Sequence, residues 1–257
     1  MREVIGFFGS AGQVGVTMTA RSTAEVYAER GEETLLISAS GKYGNDYVRI
    51  FDTVRSLDDL KADIISDTLK PEEMRNVIVK EGNLSYIGSV RNPFAVRSFP
   101  ADSIERMLAA LGERYDRIVI DAGDDFNSGL AVSALNACDR RIFVLTQQQK
   151  TIDRFIYLNA HVVSALGVKG EILVNRYVKN PGLYTVEDIE RLTGARAVGK
   201  ISECEWGRYA EVQGATLMDV KSYRKEIERL VQAIGEHKQP ERRAKLLLRR
   251  VFKQGRI

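Results

Sequence analysis

A three-layer α/β domain with a mainly parallel sheet is the fold class the sequence predicts, and three observations predict it. Short β-branched apolar runs alternate with segments of helical periodicity along most of the chain, the pattern of βαβ units whose strands are buried on both faces. The length of 257 residues, with 44% hydrophobic and 28% charged, suits one sizeable domain or two small ones and excludes a disordered or collagen-like chain. The first apolar strand runs through a glycine-rich loop into a helix, the kind of junction where open α/β sheets bind ligands.

Taken in order, the first strand is expected over residues 4–8 and the first helix over 17–30, closed by Gly31. A second strand follows at 34–37, then helices at Leu57–Ser66 and Pro71–Val77 and a strand at Leu84–Ile87. The helix at 102–113 places Ile104, Leu108 and Leu111 on one face. Strands are expected at Arg117–Asp121, 141–146 and 170–175, with helices at 153–166 and 221–235. One domain is expected over residues 1–236, then a linker and a short basic helix over 237–257. Cys138 and Cys204 lie far apart with no CxxC or Cys/His cluster, so no disulfide framework or zinc site is expected, and a reducing cytoplasm is the default compartment. No charged-then-apolar leader and no 18-residue apolar run is present, so neither secretion nor membrane spanning is expected.

Gly9 to Thr19 has the context a phosphate-binding loop needs. Glycines let backbone amides turn inward, and the following helix N-terminus adds partial positive charge. The pattern GxxxxGK[ST] is not met: Val16 stands at the lysine and Ser10 at the first glycine, while Thr17 keeps the magnesium-binding hydroxyl.

This loop resembles the deviant Walker A motif, KGGxGK[ST], of the MinD/ParA family of P-loop ATPases, with Ala11, Gln13 and Val16 replacing its signature lysine, second glycine and P-loop lysine. Phe8-Gly9-Ser10 followed by Gly12 and Gly15 is most similar to the CpaE/TadZ pilus-assembly branch, whose FGSKGGxGTT often lacks the P-loop lysine. The resemblance covers most of the chain. Residues 38–46 resemble the branch's DLDLQFGD, with Ser38 and Ser40 for both aspartates; the second aspartate positions the attacking water in the family. Tyr115 to Asp121 is similar to the Walker B strand YDxIIID, and Asn175-Arg176 to VxNR, whose asparagine contacts adenine. Residues 186–189, a strand near 198–201 and residues 209–217 match the spacing of the family's C-terminal third, including a basic helix before a GxPL-like turn.

The resemblance implies ATP held by Ala11, Gly12, Gln13, Val14, Gly15, Val16, Thr17 and Met18, with Asn175 and Arg176 at the base, and Mg2+ held by Thr17 and Asp121. Losing a charge-assisted lysine contact costs about 1.5–3 kcal/mol, which weakens binding roughly 10- to 100-fold. No catalytic residue is assigned. The implied function is a degenerate pseudo-ATPase, homodimeric across the nucleotide, that localises or assembles a membrane-associated machine such as a Tad/Flp-type pilus or secretion system. An active ATPase of chromosome or plasmid partition, or of division-site positioning, is the alternative; Arg21 or Lys42 would then have to replace Val16 in trans. A different P-loop enzyme with a small substrate would need a second catalytic constellation, and the sequence offers none.

Asp124 and Asp125 read as a solvated acidic loop in preference to a second magnesium site. His161 and His237 lack partners at catalytic spacing and read as surface or packing residues, while Trp206, Tyr209 and Cys138 read as core.

From Pro240 onward the chain carries seven basic residues and one acidic one, leaving the preceding residues net acidic although the whole is +3. At 100° per residue, Ala244, Leu247, Leu248, Val251 and Phe252 share an arc of about 140°, opposite Arg249, Arg250 and Lys253. Leu246 is the exception, falling among the arginines. Such a helix suits an anionic membrane surface, as in the C-terminal helix of proteins similar to MinD, or an acidic partner protein. A nucleic-acid arm is disfavoured, because phosphate contacts do not need large apolar residues. The expected location is cytoplasmic, with peripheral attachment at the inner membrane face.

Overall fold

The structure is a computed structural model and describes residues 2–42 and 56–236. The expected helix at 237–257 and positions 43–46 of the Ser38 to Asp46 match lie outside the described residues.

Eight strands form one sheet: β1 (Glu3–Gly9), β2 (Thr34–Ser38), β3 (Val79–Glu81), β4 (Leu84–Ile87), β5 (Arg117–Asp121), β6 (Arg140–Leu145), β7 (Glu171–Tyr177) and β8 (Ala197–Ser202). Their spatial order is β3-β4-β2-β5-β1-β6-β7-β8, and every pairing is parallel except β3 with β4. The antiparallel edge strand β3 was not expected. It is three residues long, half-buried at Val79 and exposed at Lys80 and Glu81, too short and too polar to show as an apolar run.

Side chains of successive strand residues leave the sheet on opposite faces. Ile5, Phe7, Val119, Ile142, Val144 and Leu173 therefore pack in one core cluster, with residues of α1 (Val16–Glu29) and α9 (Lys221–Glu236). Val4, Phe8, Ile118, Ile120, Phe143, Ile172 and Val174 pack in the other. That second layer is built by α2 (Leu57–Ser66), α3 (Pro71–Val77), α4 (Ser103–Leu111), α5 (Gly129–Ala137), α6 (Gln149–Leu158) and α7 (Val186–Thr193). A short α8 (Gly207–Gln213) precedes α9. The three-layer α/β/α architecture expected from the strand and helix alternation is thus the observed one.

Two helical boundaries differ from expectation. α6 starts at Gln149, where Thr151 Oγ1 accepts from the Thr146 amide and donates to its carbonyl, so the turn after β6 winds straight into helix. Its last turn, Asn159–Val163, is a π-helical segment. Trp206 and Tyr209 are corrected from core to surface: they are 54% and 62% exposed, rings edge to face at 6.2 Å, in the turn before α8 and its first turn. Cys138 is buried as expected, and both cysteines are free. Among the described residues no helix is long and apolar enough to cross a membrane.

Candidate functional site

β1 lies between β5 and β6, yet the chain leaving β1 passes through α1 to β2 on the far side of β5. β5 in turn connects past β1 to β6, so the carboxyl end of β1 is a switch point, the place where loops diverge and leave a crevice. Residues 10–15 occupy it. Gly9 donates its amide to the carbonyl of Gly123 (2.7 Å) and Ser10 to that of Val144 (3.0 Å), which anchors the loop's entry to the ends of both neighbouring strands.

The loop's exit depends on Gly15, the N-cap of α1, at φ +92°. A Cβ there would lie 2.2 Å from Asn175 Nδ2, so left-handed backbone and close approach both require glycine. Asn175, buried near the end of β7, donates this Nδ2 to the carbonyl of Val14 at 2.8 Å and ties the loop to the second strand over from β1. Arg176 follows in left-handed conformation, φ 53°, and is exposed. Gln13 also has positive φ, 63°, where the family motif carries glycine.

No side chain caps α1 and no acidic residue stands in its first turn. By contrast, α2 and α7 are closed by capping boxes with two acidic residues each in the first turn. The α1 N-terminus thus presents backbone amides and dipole without an anion of its own. Just inside it, Thr17 Oγ1 donates to Asp121 Oδ2 at 2.6 Å. Asp121 ends β5, is 2% exposed, and also accepts the amide of Gly123 on Oδ1 (3.1 Å). A hydroxyl and a buried carboxylate side by side at a bare helix start form a hard oxygen donor pair of the kind magnesium takes together with phosphate oxygens.

The substituted loop positions have a different character. Ala11, Val14 and Val16 are buried in the α1-side core, and Val16 Cγ2 would lie 2.9 Å from a Cβ on Gly9. Val16 thus fills the underside of the loop, a packing contribution in place of a charge. Gly12 and Gln13 are exposed, and Met18 is half-buried.

Ser38 and Ser40 are both buried, and Ser40 Cβ would lie 2.8 Å from a Cβ on Gly123, itself at φ +66°. Gly123 therefore lets Ser40 pack closely against the segment that follows β5. Lys42 Nζ pairs with Asp124 Oδ1, so Asp124 is bound to a cation and is not part of a second acidic cluster. Among the described residues no group of three or more His, Cys, Asp or Glu could hold a metal. Arg21 is engaged elsewhere, with Glu25 at 2.9 Å and the carbonyl of Gly214 at 3.4 Å, beside the turn that leads into α9. His161 is exposed with its ring 4.4 Å from that of Tyr157.

A cavity of about 370 Å3 opens beside the loop, lined by Ser10, Ala11, Asp124 and Phe126 on one side and by α6 residues such as Asp153 and Tyr157 on the other. Ser10 Oγ, 5% exposed as a residue, has no hydrogen-bond partner there. No local pattern in the sequence marks the Lys42–Asp124 pair, whose members lie 82 residues apart.

Among solved structures the chain is similar to a ParA family ATPase from Chlorobium tepidum (TM-score 0.76, 19% identity, covering 91% of this chain and 99% of that one). It is similar to the septum site-determining protein MinD from Pyrococcus horikoshii, complexed with Mg-ADP (TM-score 0.75, 16% identity, 91% and 96%). It is also similar to the MinC:MinD cell division complex of Aquifex aeolicus (TM-score 0.74, 19% identity, 94% and 99%). No protein-family model and no curated protein sequence matches the chain. At these identities the likeness is one of fold: the chain has the MinD/ParA-type P-loop NTPase fold.

Proposed function

We propose that the chain is a MinD/ParA-like nucleotide-binding protein, closest to the CpaE/TadZ branch, that binds Mg-ATP without efficient turnover and uses it to localise or assemble a membrane-associated pilus or secretion machine. The observation that carries the reading is the Thr17–Asp121 contact of 2.6 Å beneath the uncapped start of α1. Magnesium, when bound, supplies a positive charge that screens the phosphates. Thr17 and Asp121 are the residues that would hold it, while the amides of residues 11–16 and the α1 dipole would hold the phosphates. Asn175 and Arg176 would take the base in this reading, Asn175 while it holds the Val14 carbonyl. Ser40 offers a hydroxyl where a general base would need a carboxylate, so water activation is the function given up. The MinD of P. horikoshii carries Mg-ADP and that of A. aeolicus is joined to MinC, which supports a nucleotide-bound chain that recruits a protein partner.

Homodimerisation across the loop belongs to the same reading, as does a cytoplasmic location with the tail at the membrane. Leu247, Leu248, Val251 and Phe252 would enter the interface while Arg249, Arg250 and Lys253 meet anionic headgroups. The decisive experiment is titration calorimetry of Mg-ATP on the wild type and on Thr17→Ala. Saturable binding that weakens at least tenfold in the variant is expected; no heat at millimolar Mg-ATP would sink the nucleotide reading. Co-sedimentation with phosphatidylglycerol vesicles, with and without residues 240–257, tests the tail, and equal retention of both forms would remove it from the proposal.

A further inference from the structure

The loop has lost both lysines of the motif it resembles, yet a cation stands at its mouth. Lys42 leaves the end of β2 and pairs with Asp124, the third residue beyond β5. Asp124 is pressed against the loop: its Cβ would lie 3.1 Å from a Cβ on Gly9 and its Oδ2 3.3 Å from one on Gly12. Its carboxylate therefore sits beside the exposed loop backbone, the surface a phosphate would contact. In that position an anion of the chain itself competes with an incoming anion, and its partner cation is within reach of whichever anion is there. The Lys42 side chain is 45% exposed and on a flexible stem, while Asp124 is 20% exposed. Ser10 Oγ, buried and without a partner on the cavity wall shared with Asp124, marks the same side of the loop as short of one polar group. Arg21, the other basic candidate, is held by Glu25 and the Gly214 carbonyl.

We propose that Lys42 is the phosphate-binding cation of this chain, supplied in cis from the loop after β2. It pairs with Asp124 until a nucleotide phosphate takes the place of that carboxylate. The Lys42–Asp124 pair is then a latch: nucleotide entry exchanges one charge-assisted contact for another and releases the loop after β5 from the loop after β2. This rests on the nucleotide reading above. It differs from a strap that merely joins two loops, because the two ends of the latch must affect binding in opposite directions.

The test is Mg-ATP titration calorimetry on the full chain, with melting temperature as a control for folding. Lys42→Ala is expected to bind about tenfold more weakly, the usual scale of one charge-assisted contact, and Lys42→Arg to stay within about threefold of wild type by the same scale. Asp124→Asn is expected to bind several-fold more tightly, and that gain should shrink in the Lys42→Ala background, because there no pair is left to break. Lys42→Ala binding like the wild type, while Thr17→Ala still weakens binding at least tenfold, would overturn the latch and leave the nucleotide reading standing. Asp124→Asn binding no tighter than wild type would also overturn it, as would an Asp124→Asn gain of equal size in both backgrounds. A wild type that does not bind Mg-ATP removes both.

Discussion

Charged groups are partnered at both edges of the sheet, including Lys42 with Asp124 at the carboxyl edge, but the two edges differ in the neutral polar groups and backbone they leave open. At the amino edge, every strand start with an ionisable group is closed by a partner. Arg140, 1% exposed, pairs with Glu171 at the start of β7 and donates to the carbonyl of Ile234 in α9 at 2.6 Å. Arg117 meets Glu3 at 2.9 Å, Asp139 accepts the Val4 amide at 3.0 Å, and Asp116 accepts the Glu33 amide at 3.0 Å. At the carboxyl edge, α1 starts without a cap, Ser10 Oγ has no partner, and Gln13 and Gly15 have positive φ. One edge is built for stability; the other leaves polar groups and backbone strain available to a ligand. Substitutions at the first edge should therefore cost fold stability, and at the second mainly affinity.

The largest effect is expected from Arg140→Ala, which leaves Glu171 buried without its cation. Breaking such a pair costs about 3–5 kcal/mol, read as a fall in the urea midpoint at an unchanged slope. A loss below about 1 kcal/mol would mean that Glu171 takes up a proton or water instead. Next comes Gly15→Ala, which forces φ +92° on a residue with a Cβ 2.2 Å from Asn175 Nδ2. Roughly 1–3 kcal/mol of strain is expected, together with loss of Mg-ATP binding.

Asp121→Asn sharpens the contrast from the other side. The amide keeps hydrogen-bonding capacity toward Thr17 and Gly123 while removing a buried charge, so stability should hold within about 1 kcal/mol. Nucleotide binding should nevertheless lose its dependence on magnesium in titrations with and without chelator. A folded variant whose affinity still responds to magnesium would place the metal elsewhere.

The smallest effect is expected at the start of α7, whose capping bonds run between Thr185 and Asp188 and do not involve the loop. Thr185→Ala opens the α7 capping box, worth about 1 kcal/mol, and should leave nucleotide affinity unchanged. The Thr185 amide and hydroxyl, bonded to Asp188, hold that carboxyl below its ordinary value near 3.8. A lowered folded-state value means a contribution present above the unfolded value and lost as the pH falls through the folded one. Thr185→Ala removes the hydroxyl's share and keeps the larger one of the amide, so acid titration of the melting temperature should flatten only in part. Glu25 works in the opposite direction: burial raises its carboxyl, against the Thr216 hydrogen bond and Arg21. Its contribution is complete at acid pH, below the unfolded value, and is lost as the pH rises through the raised folded value.

Residue order and local periodicity determined much of this by themselves. The alternation of apolar runs and amphipathic segments identified seven of the eight strands as elements, and Gly9, Gly12 and Gly15 marked the loop because glycine spacing is a local signal. Reading Val16 at a lysine position and Ser38 and Ser40 at aspartate positions rested on a family resemblance and not on local periodicity. Tertiary structure alone decided the rest, since the contacts concerned are far apart in sequence. Thr17 meets Asp121 across 104 residues and Asn175 meets Val14 across 161, both through strand order that no local pattern encodes. Burial of Val16 at the start of α1 and exposure of Trp206 in the turn before α8 likewise depend on tertiary packing. The Lys42–Asp124 pair exists because β2 and β5 are neighbours in parallel register, Ser38 opposite Asp121, which delivers a lysine and an aspartate to the same edge of the sheet.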